Sequence, residues 1–248
     1  MSIATEIQRL QTAKENIRTA IEEKGVEVGN GTIDTYAEKI GEISVGGSLG
    51  LERYAKQILF ASLNLFGKEE VTLNLDNATN LNGLCRTTVQ EDDNTTVKHL
   101  TINCLQPLTN ISQMISALDT DETLERITLN LNNIVATSVT YMFNKLRALR
   151  VIDGKPLDFS TMTSISTSTF AACSALEEIR FKPNSIFVNF AFSYPQNLSA
   201  ESVQSVIDGL ADLTGNTTQT LTLNATVGNK LTDTQKATIT DKNWILAY

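Results

Sequence analysis

Apolar and polar positions alternate in a phrase that returns along the chain: VTLNLDNA from 71, LTINCLQP from 100, ITLNLNNI from 127 and LTLNATVG from 221. Period-two alternation marks a strand with one face in a core and the other turned outward. Aligned on Leu-x-x-Ile-x-apolar, the anchors are Val71, Leu100, Ile127, Ile152, Ile179 and Leu221, at spacings of 29, 27, 25, 27 and 42. An earlier apolar position precedes the middle strands by three residues, at Val97, Leu124, Leu149 and Leu176. Spacings in or near the range of roughly 20–29 residues belong to leucine-rich repeats, whose single units cannot bury their own apolar side and must stack. The pattern predicts an α+β chain: a solenoid with parallel strands over 51–248. Between the strands, ATSVTYMFNKLRA and SISTSTFAACSA have a looser, helical spacing.

Both ends depart from the repeat. Ile3, Ile7, Leu10, Ile17 and Ile21 fall at alternating steps of four and three, with Lys14 in the missing seam position. In heptad terms Ile7, Lys14 and Ile21 are a positions and Ile3, Leu10 and Ile17 are d positions. Ile at a with mixed Ile and Leu at d leans toward a homotrimer, and Lys14 trades stability for register. A hairpin of 3–24 against 34–43 is the competing arrangement. Gly25 ends the helix, Asp34 caps a short amphipathic stretch carrying Tyr36, and SVGGSLG at 44–50 reads as a linker after a helical module at 1–43. In the long interval Ser199 is the N-cap of a helix with Val203, Val206, Ile207 and Leu210 on one face. Thr232 and Gln235 then form a capping box before a terminal strand with Trp244, so that about 197–248 closes the core as a cap.

Composition narrows the function classes. With a net charge of −8 and no Lys/Arg cluster, the chain is not expected to bind nucleic acid. No apolar run reaches the ~18 residues of a membrane span, and the first residues lack a signal-peptide pattern, which predicts a chain without membrane insertion. Cys85, Cys104 and Cys173 are too scattered for a zinc set and read as buried small hydrophobes. His99 points away from Cys104 along its strand, so no such dyad forms and the imidazole is expected at the surface. Acidic clusters at Glu91, Asp92, Asp93 and at Asp119, Asp121, Glu122 suit calcium, and solvated turns explain them equally. Seven Asn-x-Ser/Thr triplets are mostly what so much Asn and Thr yields by chance. Nothing marks a catalytic cleft; no enzyme, metal or cofactor is expected.

If the anchors face inward, the residues between them form outward rows. One row is Thr72, Thr101, Thr128, Asp153, Arg180 and Thr222; the other is Asn74, Asn103, Asn130, Lys155, Lys182 and Asn224. Parallel strands about 4.8 Å apart would turn these into hydroxyl and amide ladders, broken into a charged patch at Asp153, Arg180, Lys155 and Lys182. The candidate binding residues are therefore Thr101, Asn103, Thr128, Asn130, Asp153, Lys155, Arg180 and Lys182. Strand propensity and surface polarity would explain the same rows without any partner.

TSVTYMFNKLRALRVID and TSISTSTFAACSALEEIRF, each running from an aromatic or Met-Phe pair into Leu-x-x-Ile, resemble the BspA-like leucine-rich repeats of bacterial surface proteins and phages. AKENIRTAIEEKGVEVGNGTIDTYAEKIGEI is similar to a module at the start of tail and baseplate-associated proteins of tailed phages and prophages, and the C-terminal stretch is similar to the end unit of phage repeat proteins. The Asn or Cys ladder of regular leucine-rich repeats is kept only at Asn132 and Asn184. The resemblance implies a BspA-like solenoid in a structural protein of the virion, of tail-fibre or baseplate type. Its N-terminal module would join other phage tail proteins, and its repeats would meet a host cell-surface glycan or protein. A bacterial cell-surface adhesin and an intracellular interaction scaffold are the alternatives.

Overall fold

The repeated phrase pairs with itself in register. In the computed structural model, which describes residues 3–23, 27–28, 36, 69–85, 97–121 and 123–248, strands β1 (Glu70–Asn74), β2 (His99–Leu108), β3 (Ile115–Asp121), β4 (Arg126–Ile134), β5 (Ser138–Val139), β6 (Phe143–Leu146), β7 (Val151–Gly154) and β8 (Ser164–Ile165) come in chain order. The order β1-β2-β4-β7 makes a four-stranded parallel sheet, and β3-β6 and β5-β8 make two-stranded parallel ones. Val71, Leu100, Ile127 and Ile152 stand side by side, as do Thr72, Thr101, Thr128 and Asp153. The architecture is mixed α and β, with parallel strands in small sheets and no closed barrel among the described residues.

Alternation drives the burial. Leu100, Ile102, Cys104, Ile127 and Leu129 are sealed in one core with the earlier anchors Val97, Leu124, Leu149 and Leu176, while the residues between face out. Each unit also enters its strand by the same backbone bond. Lys98 N–H donates to the Glu69 carbonyl, Glu125 to Lys98, Arg150 to Glu125, Glu177 to Arg150 and Ser199 to Glu177. The side chains at the first five of these positions alternate in sign, and Lys98 pairs with Glu69 at 2.9 Å and Arg150 with Glu177 at 3.0 Å.

The segments expected to be helical between strands are not. They form β5, β6, β8 and turns. Their donors explain the difference: Phe143 N–H donates to the Thr169 carbonyl, Lys145 N–H to Ala171 and Ser166 N–H to Val139, and the Thr169 hydroxyl also donates to Val139, each partner about one unit away. Ser and Thr compete with helical backbone bonding, and here the competing partner is the neighbouring unit.

Beyond β8, β9 (Phe190–Phe192), β10 (Gln219–Leu223) and β11 (Trp244–Ala247) form a parallel sheet in the order β11-β10-β9. Thr222 therefore belongs to a different sheet from Thr72, Thr101, Thr128 and Asp153, and Asn224, just past β10, caps a short helix rather than extending a ladder. The expected helix after Ser199 runs Ala200–Gly209 (α2, α1 being the N-terminal helix below), with Ser199 accepting from Ser202 N–H. Its position explains the 42-residue interval. Ser202 Oγ accepts from the Ile179 N–H at 3.0 Å and Ser205 Oγ from the Phe181 N–H at 2.9 Å, so serines of α2 stand where a next strand would have stood. After α3 (Ala225–Gly228), helix α4 (Asp233–Asp241) carries the Thr232–Gln235 capping box. Trp244 is buried, its indole N–H bound to the Ala211 carbonyl at 2.8 Å.

The chain divides into two compact units, 1–47 and 48–248. In the first, α1 spans Ile3–Glu22; Ile7, Leu10 and Ile17 are 51%, 56% and 40% exposed, and Lys14 is half-buried. Ile21 is different: it is buried with Val28 and Tyr36 within its own unit, so this a position is not on an open seam. The Ile3 side chain, Asp34, the 44–50 stretch, the 91–93 acidic cluster, the side chains of Asp119 and Asp121, and Glu122 lie outside the described residues.

Candidate functional site

On the outward side of the four-stranded sheet, the expected rows are real over their first members. Asn103 Nδ2 donates to Asn74 Oδ1 at 2.7 Å, and Asn130 Nδ2 to Asn103 Oδ1 at 2.8 Å, so the amides form one ladder running in a single direction. The hydroxyl row is joined by two residues that sequence reasoning left out. Thr128 Oγ1 donates to Asp153 Oδ1 at 2.6 Å, and Arg126 binds Asp153 Oδ2 through Nε at 3.0 Å and through a second guanidinium nitrogen. His99 Nε2 lies 2.9 Å from Thr128 Oγ1. Because that hydroxyl spends its proton on Asp153, Nε2 must be the protonated nitrogen and donate. The imidazole is thus half-buried in a polar chain rather than free at the surface. Burial pushes the Asp153 carboxyl up, but the Thr128 hydroxyl and the Arg126 guanidinium outweigh it and hold it below the usual carboxylate value. A period-two count would have found His99 and Arg126, which stand opposite each other one step before Thr101 and Thr128 on the same face.

Asp153 stands in its row beside Thr128, but beyond it neither row is where alternation put it. The pairing of β4 with β7 stops at Leu129 with Gly154, whose φ is +90° and where a Cβ would collide with the Leu129 backbone. Lys155 N–H still donates to the Leu129 carbonyl at 2.8 Å, and past Pro156 the chain pairs not with β4 but with Phe181, through Leu157. Lys155 consequently does not continue the amide ladder: its Nζ approaches Asn132 Oδ1 at 3.4 Å. Lys182 binds Asp158 Oδ2 at 2.7 Å, and Arg180 is exposed. Asn132 Nδ2 donates to the Leu105 carbonyl at 3.1 Å, one unit back, while Asn184 sits in a turn at φ +52°.

Beside the end of this pairing lies a groove of about 260 Å³. Leu131, Ile134, Pro156 and Leu157 line its apolar part, and Asn132, Asn133, Lys155, Asp158 and Lys182 its polar part. The structure therefore brings two expected residues, Lys155 and Lys182, together at a concavity that the row model did not foresee. Burial again pushes a carboxyl up at Asp158, and the Lys182 ammonium and Ser160 hydrogen bonds bring it below its ordinary value. The thiols offer no nucleophile: Cys104 and Cys173 are buried, both raised by desolvation, Cys173 to about 12. Among the described residues no group of His, Cys, Asp and Glu is arranged to hold a metal, and no helix is long and apolar enough to cross a membrane.

No family model, curated protein or solved structure matches the chain.

Proposed function

We propose that residues 51–248 are the coils and cap of a BspA-like leucine-rich-repeat solenoid, and that the chain is a non-enzymatic virion protein of tail-fibre or baseplate type. The outward sheet face meets a host-surface glycan or protein. The N-terminal module joins other tail proteins, with α1 as a homotrimer seam through Ile7, Leu10 and Ile17. The observation that carries the solenoid reading is the register: β1, β2, β4 and β7 stand side by side although their hydrogen-bonded side chains lie 29, 27 and 25 residues apart. Parallel neighbours one unit apart are what stacked coils require, and the sheets of such stacks are extended binding surfaces. The exposed apolar seam of α1, interrupted by Lys14, supports self-association. The virion assignment is supported by the similarity of the N-terminal stretch to tail-associated modules.

The test is adsorption. Thr128→Glu with Asn130→Glu leaves Ile127 and Leu129 in the core but removes the bonds to Asp153 and Asn103, so a cooperative melting transition should persist at a modestly lower temperature while adsorption of particles to host cells, measured well below it, falls roughly tenfold or more. Arg147→Glu, in an exposed turn outside the sheet, serves as the control. Normal adsorption of the double variant together with loss in the control would place the partner elsewhere.

A further inference from the structure

The groove beside Gly154 has a chemistry of its own, separate from the ladders. On one side β4 remains paired with β2 as far as Ile134; on the other its pairing ends at Leu129. The segment Leu131–Asn133 therefore has a strand neighbour on one flank and the cavity on the other. Lys155 stands at this opening with a long 3.4 Å contact to Asn132, which leaves N–H directions of its ammonium for a ligand. Lys182 stands across from it, held by Asp158, whose other oxygen accepts from the Ser160 N–H at 3.0 Å. Two amides, two ammonium groups and a carboxylate thus surround an aliphatic patch of Leu131, Pro156 and Leu157.

We propose that this groove binds a single acidic sugar, a uronic-acid-type pyranose, with its carboxylate on Lys155 and Lys182. Three observations select this ligand. A space of about 260 Å³ suits one six-membered ring rather than a peptide strand. Sugar hydroxyls need donors and acceptors together, which Asn132, Asn133 and Asp158 supply. Lys155 and Lys182 outnumber Asp158, so the lining keeps a net positive charge in a chain of net charge −8, which favours a carboxylate over a neutral sugar. The aliphatic patch covers the apolar face of the ring. The inference rests on the reading of this surface as one of host recognition, and it names the ligand class.

The experiment titrates methyl glucuronide into the full chain, with methyl glucoside as the neutral counterpart and an acidic hexapeptide as competitor. The uronide should bind at least tenfold more tightly than the glucoside. Lys155→Gln and Lys182→Gln should each abolish that preference without moving the melting transition, and Thr128→Glu with Asn130→Glu should keep it. Equal affinity for the two glycosides, or a preference unchanged in both lysine variants, overturns the proposal. So does tighter binding of the hexapeptide at the same site. If no uronide binds but the Thr128 and Asn130 changes still abolish adsorption, the groove assignment falls and the recognition surface stands. If the uronide binds as described and adsorption ignores both sets of changes, the groove stands and the host-recognition reading falls.

Discussion

The four-stranded sheet and the three-stranded sheet solve one problem in two ways. Both pair parallel strands that lie about one unit apart in sequence. In the first, the same side chains recur at each step: aliphatic anchors within, Thr and Asn without, with Asn74, Asn103 and Asn130 each bonded to the next. In the second, few positions recur, and individual side chains reach the backbone instead. Asn189 Oδ1 accepts from Thr220 N–H, Gln219 Oε1 from Asn189 N–H, and Asn224 Nδ2 donates to the Ser193 carbonyl. Lys242 Nζ donates to the Ile207 and Leu210 carbonyls at 3.0 and 2.7 Å and so closes the C-terminus of α2. Below lies a cluster of phenylalanines, with Phe170 and Phe192 edge-to-face at 4.8 Å. A repeated sheet spreads its stability over equivalent contacts, whereas a terminal sheet concentrates it in a few anchors.

That contrast makes Trp244 the most sensitive position. Trp244→Ala removes a buried ring and leaves the Ala211 carbonyl without its donor, a loss of about 3–5 kcal/mol by analogy with large-to-small core changes. Chemical denaturation should show the midpoint falling sharply; a change under about 1 kcal/mol would erase the distinction between the sheets.

An intermediate effect is expected at Cys173, whose Sγ donates to the Phe143 carbonyl at 2.9 Å, one unit away. Its thiol is raised from 9.0 to about 12 by burial, so the unfolded chain ionises first as pH rises. The contribution is complete below about pH 9 and is lost toward pH 12, at about 1 kcal/mol per unit. Stability measured from pH 8 to 11 should decline more steeply in the native chain than in Cys173→Ala. Parallel slopes would mean that the thiol is not sealed.

The smallest effect belongs to the amide ladder. Asn103→Val suits a strand and removes two half-exposed hydrogen bonds, so stability should shift by about 1 kcal/mol or less. A loss as large as that of Trp244→Ala would show that the ladder, not the core, holds the sheet together.

Much of this was legible in the sequence because period-two alternation and a near-constant step are local and additive. They placed Val71, Leu100, Ile127 and Ile152 side by side and put Thr101, Thr128, Asn103 and Asn130 on the outer face. What failed depended on a single backbone event. Gly154 in a left-handed conformation ends one pairing and sends Lys155 to Asn132, and no count of alternate residues contains that turn. The β5, β6 and β8 segments misled for a related reason, since their N–H groups bond to carbonyls about one unit away along the chain that are near only once the parallel strands have come together. β9 was hidden because Phe-Ala-Phe does not carry the Thr-apolar-Asn phrase.

The alternating charges at Glu69, Lys98, Glu125, Arg150 and Glu177 act as a parity code. Their entry bonds fix which neighbours meet, and the native order brings opposite signs together at every step. A slip of one whole unit, or the deletion of one, would preserve every apolar anchor, and hydrophobicity alone would not oppose it. It would set Lys98 against Arg150, or Glu69 against Glu125. Each exposed pair is weak and screened by salt, yet an error repeated along the row opposes all of them together. Only shifts by an even number of units escape the penalty, so a chain of near-identical steps carries its own guard against being threaded one step out.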